Sequence, residues 1–270
     1  MTVRANGLEF DVRIGGPEGG PPVLLLHGFP QHGGMWDEVV PALHRAGMRT
    51  YAPDQRGYSP GARPSDVDGG YAMADCVADA VGLMDALGVD RADVVGHDWG
   101  SAVAWNLTVN HPSRVRTLTA VSVPHPVAMS KARHVEGSDQ KERSAYMLLF
   151  AQPGTAERVL LEDDARRLRR LFNPLPESTV DKYVTPLLEP GALTGALNWY
   201  RKLERPDIGP TGVPVTFIWG NQDPAIGRIA AETCGEYVTG DYRFVELDGV
   251  SHWVPDQSPD VVASEVLARR

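Results

Sequence analysis

Asp98 lies at the centre of Gly96-His97-Asp98-Trp99-Gly100, and its surroundings suit a nucleophile. Before it, Val94 and Val95 form the end of a short apolar run of the kind found in buried strands. After it, Ala102, Val103, Trp105 and Leu107 recur at helical spacing, so Asp98 stands at the joint between a strand and a helix. Glycines two residues to either side complete G-x-D-x-G, the nucleophile-elbow pattern G-x-S-x-G with aspartate in the serine position. Such a sharp turn crowds the residues flanking its apex, and only a missing Cβ lets strand and helix approach that closely. The apex side chain is held out above the sheet, where the helix N-terminus favours an anion. Asp98 is therefore expected to be a carboxylate at neutral pH. The same position also suits a helix N-cap, and the pentapeptide alone leaves both readings open.

A nucleophile in this position requires an acid and then a histidine later in the chain, each in a loop after a strand. Asp223 occurs in Trp219-Gly-Asn-Gln-Asp-Pro224, just past a strand ending at Gly220. His252 occurs in Gly249-Val-Ser-His-Trp253, just past a strand ending near Leu247. An aspartate in a glycine-rich turn is commonly a turn former; the order nucleophile, acid, histidine at one sheet edge is what points to a triad. Developing negative charge also needs donors. His27-Gly28-Phe29-Pro30 follows an early strand, so the N–H of Phe29 and that of Trp99 are the expected oxyanion hole.

The elements that must position these groups are legible in the hydrophobic pattern. Asn6-Gly7 is a strong hairpin signal between Thr2–Ala5 and Leu8–Ile14. Val23–Leu26 reads as a central parallel strand. A helix is expected over 36–46, a strand over 50–53, a helix over 73–87 capped by Gly88, the elbow strand and its helix, and a strand over 115–123. This alternation marks a parallel α/β sheet. It breaks over residues 125–210, where only helical stretches appear, around 144–150, 156–172, 177–188 and 193–203. The strand pattern returns at Val213–Gly220, followed by a helix near 229–234, a strand over 243–247 and a helix over 260–268. The expected organisation is an α/β core over 1–124 and 211–270, with a helical cap over 125–210 laid across the strand ends, where such sheets place ligands.

Composition bounds the reading without directing it. The chain has 270 residues, 42% hydrophobic and 23% charged, with a formal net charge of −9. That balance suits a globular protein and argues against a nucleic-acid partner. Without an apolar run of roughly eighteen residues, and with a polar start, neither membrane span nor signal peptide is expected and the location is expected to be cytoplasmic. Cys76 and Cys234 are isolated and read as buried or incidental thiols. No metal or organic cofactor is expected. A homo-oligomer is left open.

His27-Gly-Phe-Pro30, Gly96-His-Asp-Trp-Gly100, Asp223 in Gly-Asn-Gln-Asp-Pro and His252 in Ser-His-Trp resemble the α/β-hydrolase-fold epoxide hydrolases, the soluble epoxide hydrolase-like family, over nearly the whole chain. The resemblance implies a mostly parallel twisted sheet flanked by helices, with an inserted helical cap. It also implies two cap tyrosines that polarise the epoxide oxygen. Tyr146 precedes Phe150-Ala-Gln-Pro-Gly154 and Tyr200 lies in Asn198-Trp-Tyr-Arg201, both in the family's context. Substrate contact is thus expected from Phe29, Trp99, Tyr146 and Tyr200, with an epoxide and water as the small-molecule partners and a vicinal diol as product.

The residue types fit that chemistry. Carboxylate attack on an ester would give a mixed anhydride, whereas attack on a strained sp³ carbon gives a stable alkyl ester. A phenol of pKa near ~10 can donate to the incipient alkoxide while remaining protonated at neutral pH. His252, oriented by Asp223, would then activate water against the Asp98 ester.

Two alternatives share these residues. A haloalkane-type dehalogenase uses the same aspartate, but Phe29 stands where that pattern has Asn, and Trp99 stands where fluoroacetate dehalogenases have Arg. A non-catalytic ligand-binding protein of the same fold would not need the whole set. Among other stretches, Glu162-Asp163-Asp164 with Arg166, Arg167, Arg169 and Arg170 reads as a solvated, salt-bridged helix face. His97 is expected to point away from Asp98, and His125, near the cap hinge, is a weaker candidate for substrate contact.

Overall fold

Asn6 and Gly7 both adopt positive φ, 48° and 76°, the backbone that a two-residue hairpin turn requires. They join β1 (Thr2–Ala5) to β2 (Leu8–Gly15) as an antiparallel pair. The computed structural model, which describes residues 1–65 and 70–270, continues with β3 (Pro22–Leu26), α1 (Val40–Arg45), β4 (Arg49–Pro53), α2 (Met73–Ala86), β5 (Ala92–His97), α3 (Trp99–Asn110) and β6 (Val115–Val121). Between β6 and the next strand come α4 (Pro126–Ala132), α5 (Gln140–Arg143), α6 (Met147–Phe150), α7 (Thr155–Leu171), α8 (Glu177–Leu187) and α9 (Ala192–Arg201). The chain closes with β7 (Val215–Gly220), α10 (Arg228–Glu232), β8 (Tyr242–Leu247), α11 (Val254–Gln257) and α12 (Pro259–Leu267).

The eight strands form one sheet in the order β1-β2-β4-β3-β5-β6-β7-β8. From β4 to β8 every neighbouring pair is parallel, and only the β1–β2 and β2–β4 pairs are antiparallel. Every residue of β5 and of β7 is buried, as continuous apolar runs covered on both faces should be. One apolar cluster gathers β3, α1 and α12 with the helical layer, a second gathers α2, α3 and α10 on the opposite face, and a third seats the β1–β2 hairpin against Ala62 and Leu83. β6 and β7 pair directly, Leu118 opposite Val215, so the whole layer α4–α9 departs from and returns to adjacent strands. Among the described residues no helix is long and apolar enough to cross a membrane.

Three local expectations are corrected. Residues 36–46 are not one helix: a 3₁₀ turn spans Gly33–Trp36 and α1 begins at Val40, where Pro41 is tolerated only in a first turn. The stretch 144–150 is helical only from Met147; before it, the chain turns through short bonds such as Met147 N–H to Ser144 O. α7 is kinked, with Asp163, Asp164 and Ala165 at φ 52–54°. Only Arg158–Glu162 therefore forms a four-apart pair in this region, while Arg166 takes Asp163 and Arg169 crosses to Asp181 of α8. Cys76 and Cys234 are buried and free.

Candidate active site

β3 and β5 run side by side with Leu26 opposite Gly96, so the loops after both strands meet at one edge. A Cβ at Gly96 would collide with the Gly100 backbone, and one at Gly100 with the carbonyls of Leu26 and His27. These contacts account for both glycines. Between them Asp98 takes φ 52°, ψ −122°, a region costly for a residue with a Cβ and characteristic of functional turns. Its carbonyl accepts the N–H groups of Ser101 and Ala102, yet its side chain does not cap α3. The capping alternative is thereby excluded. Oδ1 instead accepts the Phe29 N–H at 2.7 Å. Gly28 has its own reason, since a Cβ there would overlap the Asp98 side chain.

The other two groups arrive from the next strand pair. Gly220 and Leu247 end β7 and β8 in register, which sets the loops of Asp223 and His252 together. Asp223 Oδ1 accepts the N–H groups of Ala225 and Ile226, at 2.7 and 3.0 Å, and Oδ2 faces His252 Nδ1 at 2.7 Å. His252 Nε2 stands 3.5 Å from Asp98 Oδ2. Two donors hold the His252 carbonyl: Ser122 Oγ at 2.8 Å and His97 Nε2 at 2.9 Å. The His97 ring is thus engaged behind the base, on the His252 carbonyl.

All three groups are nearly removed from solvent: Asp98 is 7% exposed, Asp223 1% and His252 6%. Burial disfavours charge, yet the hydrogen bond and charge of His252 outweigh it and hold the Asp98 carboxyl below the usual carboxylate range, helped by the Trp99 N–H. Burial would likewise lower His252, but the charge and hydrogen bond of Asp223, with those of Asp98, raise it. His97, buried beside His252, is pushed down to about 3 and stays neutral. Its Nε2 must carry the proton that the His252 carbonyl accepts.

Opposite this charged cluster lies an aromatic wall. Tyr146 precedes α6 and Tyr200 lies on α9, with ring centroids 6.1 Å apart. Tyr200 packs edge-on against Phe29 at 5.2 Å and Trp99 at 5.3 Å. Burial raises the pKa of both phenols, with Asp98 adding to each. They stay protonated. The structure brings Asp98, Asp223, His252, Phe29, Trp99, Tyr146 and Tyr200 together, whereas His125 stacks on Tyr237 and bonds Gly209 O within the other face's packing. Substrate contact by His125 is corrected: its ring is occupied in holding the start of α4.

Sequence reasoning missed several neighbours. Phe150 packs on Phe29, Tyr146 and Tyr200 at 5.1–5.3 Å; its position in the motif around Gly154 was the available signal. Ser122, at φ 64°, had none. Arg143 donates to the Asp223 carbonyl. Tyr58 lies edge-on to His27 at 4.5 Å, and its buried hydroxyl has no partner among the described residues. Among those residues no group of three His, Cys, Asp or Glu could hold a metal ion.

Comparison with known proteins adds lineage to this geometry. Residues 21–259 match a family model described as alpha/beta hydrolase fold. Epoxide hydrolase A of Mycobacterium tuberculosis is 34% identical over 98% of this chain and 95% of its own length. The AB hydrolase superfamily protein YfhM of Bacillus subtilis matches at the same identity and coverage. Among solved structures, an epoxide hydrolase from Bacillus megaterium, a point mutant complexed with its naphthyloxy-propane-1,2-diol product, superposes with a TM-score of 0.90 at 26% identity, covering 100% of this chain and 99% of that one. Epoxide hydrolase A from Mycobacterium thermoresistibile gives 0.86 at 30% identity, covering 100% and 97%.

Proposed function

The chain belongs to the alpha/beta hydrolase fold family and, within it, to the epoxide hydrolases, and from that premise we propose that it opens an epoxide to a vicinal diol through a covalent ester on Asp98. The observation that carries this reading is the Asp98 carboxylate itself. One oxygen is held by the Phe29 N–H, the other faces His252, and two protonated phenols stand across from them.

In the first half-reaction Asp98 Oδ2 attacks an epoxide carbon, the C–O bond breaks, and the electron pair stays on the ring oxygen. Tyr146 and Tyr200 donate hydrogen bonds to that oxygen and one supplies its proton. The phenol is replenished from the His252 imidazolium. Asp98 has by then lost the negative charge that helped hold the imidazolium proton, so esterification itself turns His252 into a base.

In the second half-reaction neutral His252, oriented by Asp223, takes a proton from water. The resulting hydroxide attacks the ester carbonyl carbon, and the N–H groups of Phe29 and Trp99 receive the oxyanion on Oδ1. Collapse expels the diol oxygen, which takes the proton of the acid being released. Asp98 returns as a carboxylate and His252 as an imidazolium. The sum is epoxide plus water to diol. The helical layer α4–α9 serves as the cap that carries the two phenols.

Product analysis tests this directly, using a panel of aryl and alkyl glycidyl ethers, styrene oxide and haloalkanes with the native chain, Asp98→Ala and Tyr146→Phe/Tyr200→Phe. Diol from the native chain, lost in Asp98→Ala and strongly reduced in the tyrosine variant, is expected. Halide release that persists without the tyrosines would overturn the reading in favour of a dehalogenase.

A further inference from the structure

Asp256 lies one turn past His252 in α11 and has no part in the chemistry above, yet both its carboxylate oxygens are taken. Oδ1 accepts the hydroxyl of Tyr183 from α8 at 2.6 Å, and Oδ2 accepts Nε2 of Gln31 at 2.8 Å. Gln31 is fully buried and two residues beyond Phe29, and its own N–H closes a turn onto Gly28 O at 2.9 Å. One carboxylate therefore joins three segments: the loop carrying an N–H donor to Asp98, the loop carrying His252, and a helix of the layer above them. α8 has a separate tether, Lys182 Nζ to Gly34 O at 2.6 Å and to Asp37 at 2.9 Å. The tyrosines that face Asp98 lie elsewhere, beside α6 and on α9.

We propose that Asp256 is a positioning residue for the hydrolytic half-reaction, holding the Phe29 loop in register with the His252 loop so that oxyanion donor and base address the same ester carbonyl. This rests on the Asp98-ester reading. Ester formation turns on the attacking Oδ2 of Asp98 and the phenols, with the Phe29 N–H on the other carboxylate oxygen, whereas Asp256 and Gln31 bond each other and Tyr183. Ester breakdown needs Phe29 N–H and His252 at a fixed mutual distance, and the Gln31–Asp256 bond ties their two loops directly. The bond also has a polarity that can be reversed. Asp256→Asn alone does not cut the bond, because Gln31 Oε1 is buried without a partner among the described residues and a turned Gln31 amide accepts the Asn amide; Gln31→Met, which keeps the volume and removes the amide, does cut it, and Gln31→Glu/Asp256→Asn reverses its polarity, keeps the net charge and still lets Tyr183 donate to Asn Oδ1.

The test follows the two half-reactions separately in single-turnover experiments, reading the alkyl-enzyme by intact-protein mass and its decay with time, with phenyl glycidyl ether as probe. Gln31→Met is expected to form ester within about twofold of the native rate and to lose it at least about tenfold more slowly, as loss of a hydrogen bond to a charged group implies. Gln31→Glu/Asp256→Asn, which rebuilds the bond with donor and acceptor exchanged, is expected to recover most of that loss and decay near the native rate. Asp256→Ala, which removes the acceptor, should repeat the slow decay if Gln31→Met does not fold. Lys182→Met, which cuts the other tether and keeps the Gln31–Asp256 bond, should leave the balance of the two steps unchanged.

Equal slowing of both steps, no slowing of either, or failure of the double variant to recover would overturn the inference. Ester trapped on His252→Gln but not on Gln31→Met would overturn it alone. Absence of ester on both would overturn the Asp98 reading and this inference with it.

Discussion

The two walls of the site are built by different physics. On the sheet side, the polar groups are placed through the backbone: Asp98 by a strained turn between two glycines, Asp223 by the N–H groups of Ala225 and Ile226, and His252 through its carbonyl, which two side-chain donors hold. On the helical side, Tyr146 and Tyr200 are held by ring packing against Phe29, Trp99 and Phe150. Charge resides on the sheet wall, where the loop N–H groups of Phe29, Ala225 and Ile226 supply fixed dipoles. The other wall holds neutral donors. Atoms that must meet one carbon within tenths of an ångström gain most from backbone placement, while donors that follow an oxygen of varied substrates tolerate a looser, apolar mounting.

If this division is right, damage to the sheet wall should stop the reaction and damage to the helical wall should slow it. Asp98→Ala is expected to lower diol formation by about 10⁴-fold or more, since the proposed intermediate is an ester of that carboxylate. Steady-state turnover of an epoxide measures it.

His252→Gln should still react once, halting at the ester with a loss in kcat of about 10³-fold. A stoichiometric mass increase on the protein is the signature. Its absence, with catalysis intact, would place the base elsewhere.

Each single tyrosine-to-phenylalanine change should cost about 10–100-fold in the rate of ester formation and the pair more, as loss of one or two oxyanion donors implies, with ester decay unaffected. A decay slowed as much as formation would erase the distinction between the two walls.

The smallest effect is on stability against pH. Because His252 is raised in the folded protein, to about 10, its contribution is full below the unfolded value of ~6.5 and is lost as pH rises toward the folded value. Thermal unfolding of the native chain and of His252→Gln should therefore converge between those limits. Asp98, held low, contributes in the opposite sense: its share is present above the ordinary carboxylate range of ~4 and lost as pH falls through its depressed folded value.

Much of the architecture could be read before any coordinates. Hairpin, parallel strands, the break over 125–210 and the return at β7 follow from turn chemistry and hydrophobic period, which are local. What failed was also local in kind: helices drawn across Pro41, across residues 144–146 and through the α7 kink continued a period where the backbone turned out of it.

The residues of the site were legible because their motifs announce backbone geometry; Gly96 and Gly100 mark a turn whose apex has nowhere else to point. Their partners were not. Nothing in the order of residues states that Gln31 meets Asp256 across 225 positions, or that Ser122 and His97 converge on the carbonyl of His252. Residue types and short-range spacing determine which groups can ionise, turn or cap, because those properties depend on a few neighbouring bonds. Which oxygen faces which nitrogen was decided only when parallel strands brought distant loops to one edge, since that distance is a property of the packed sheet and of no segment within it.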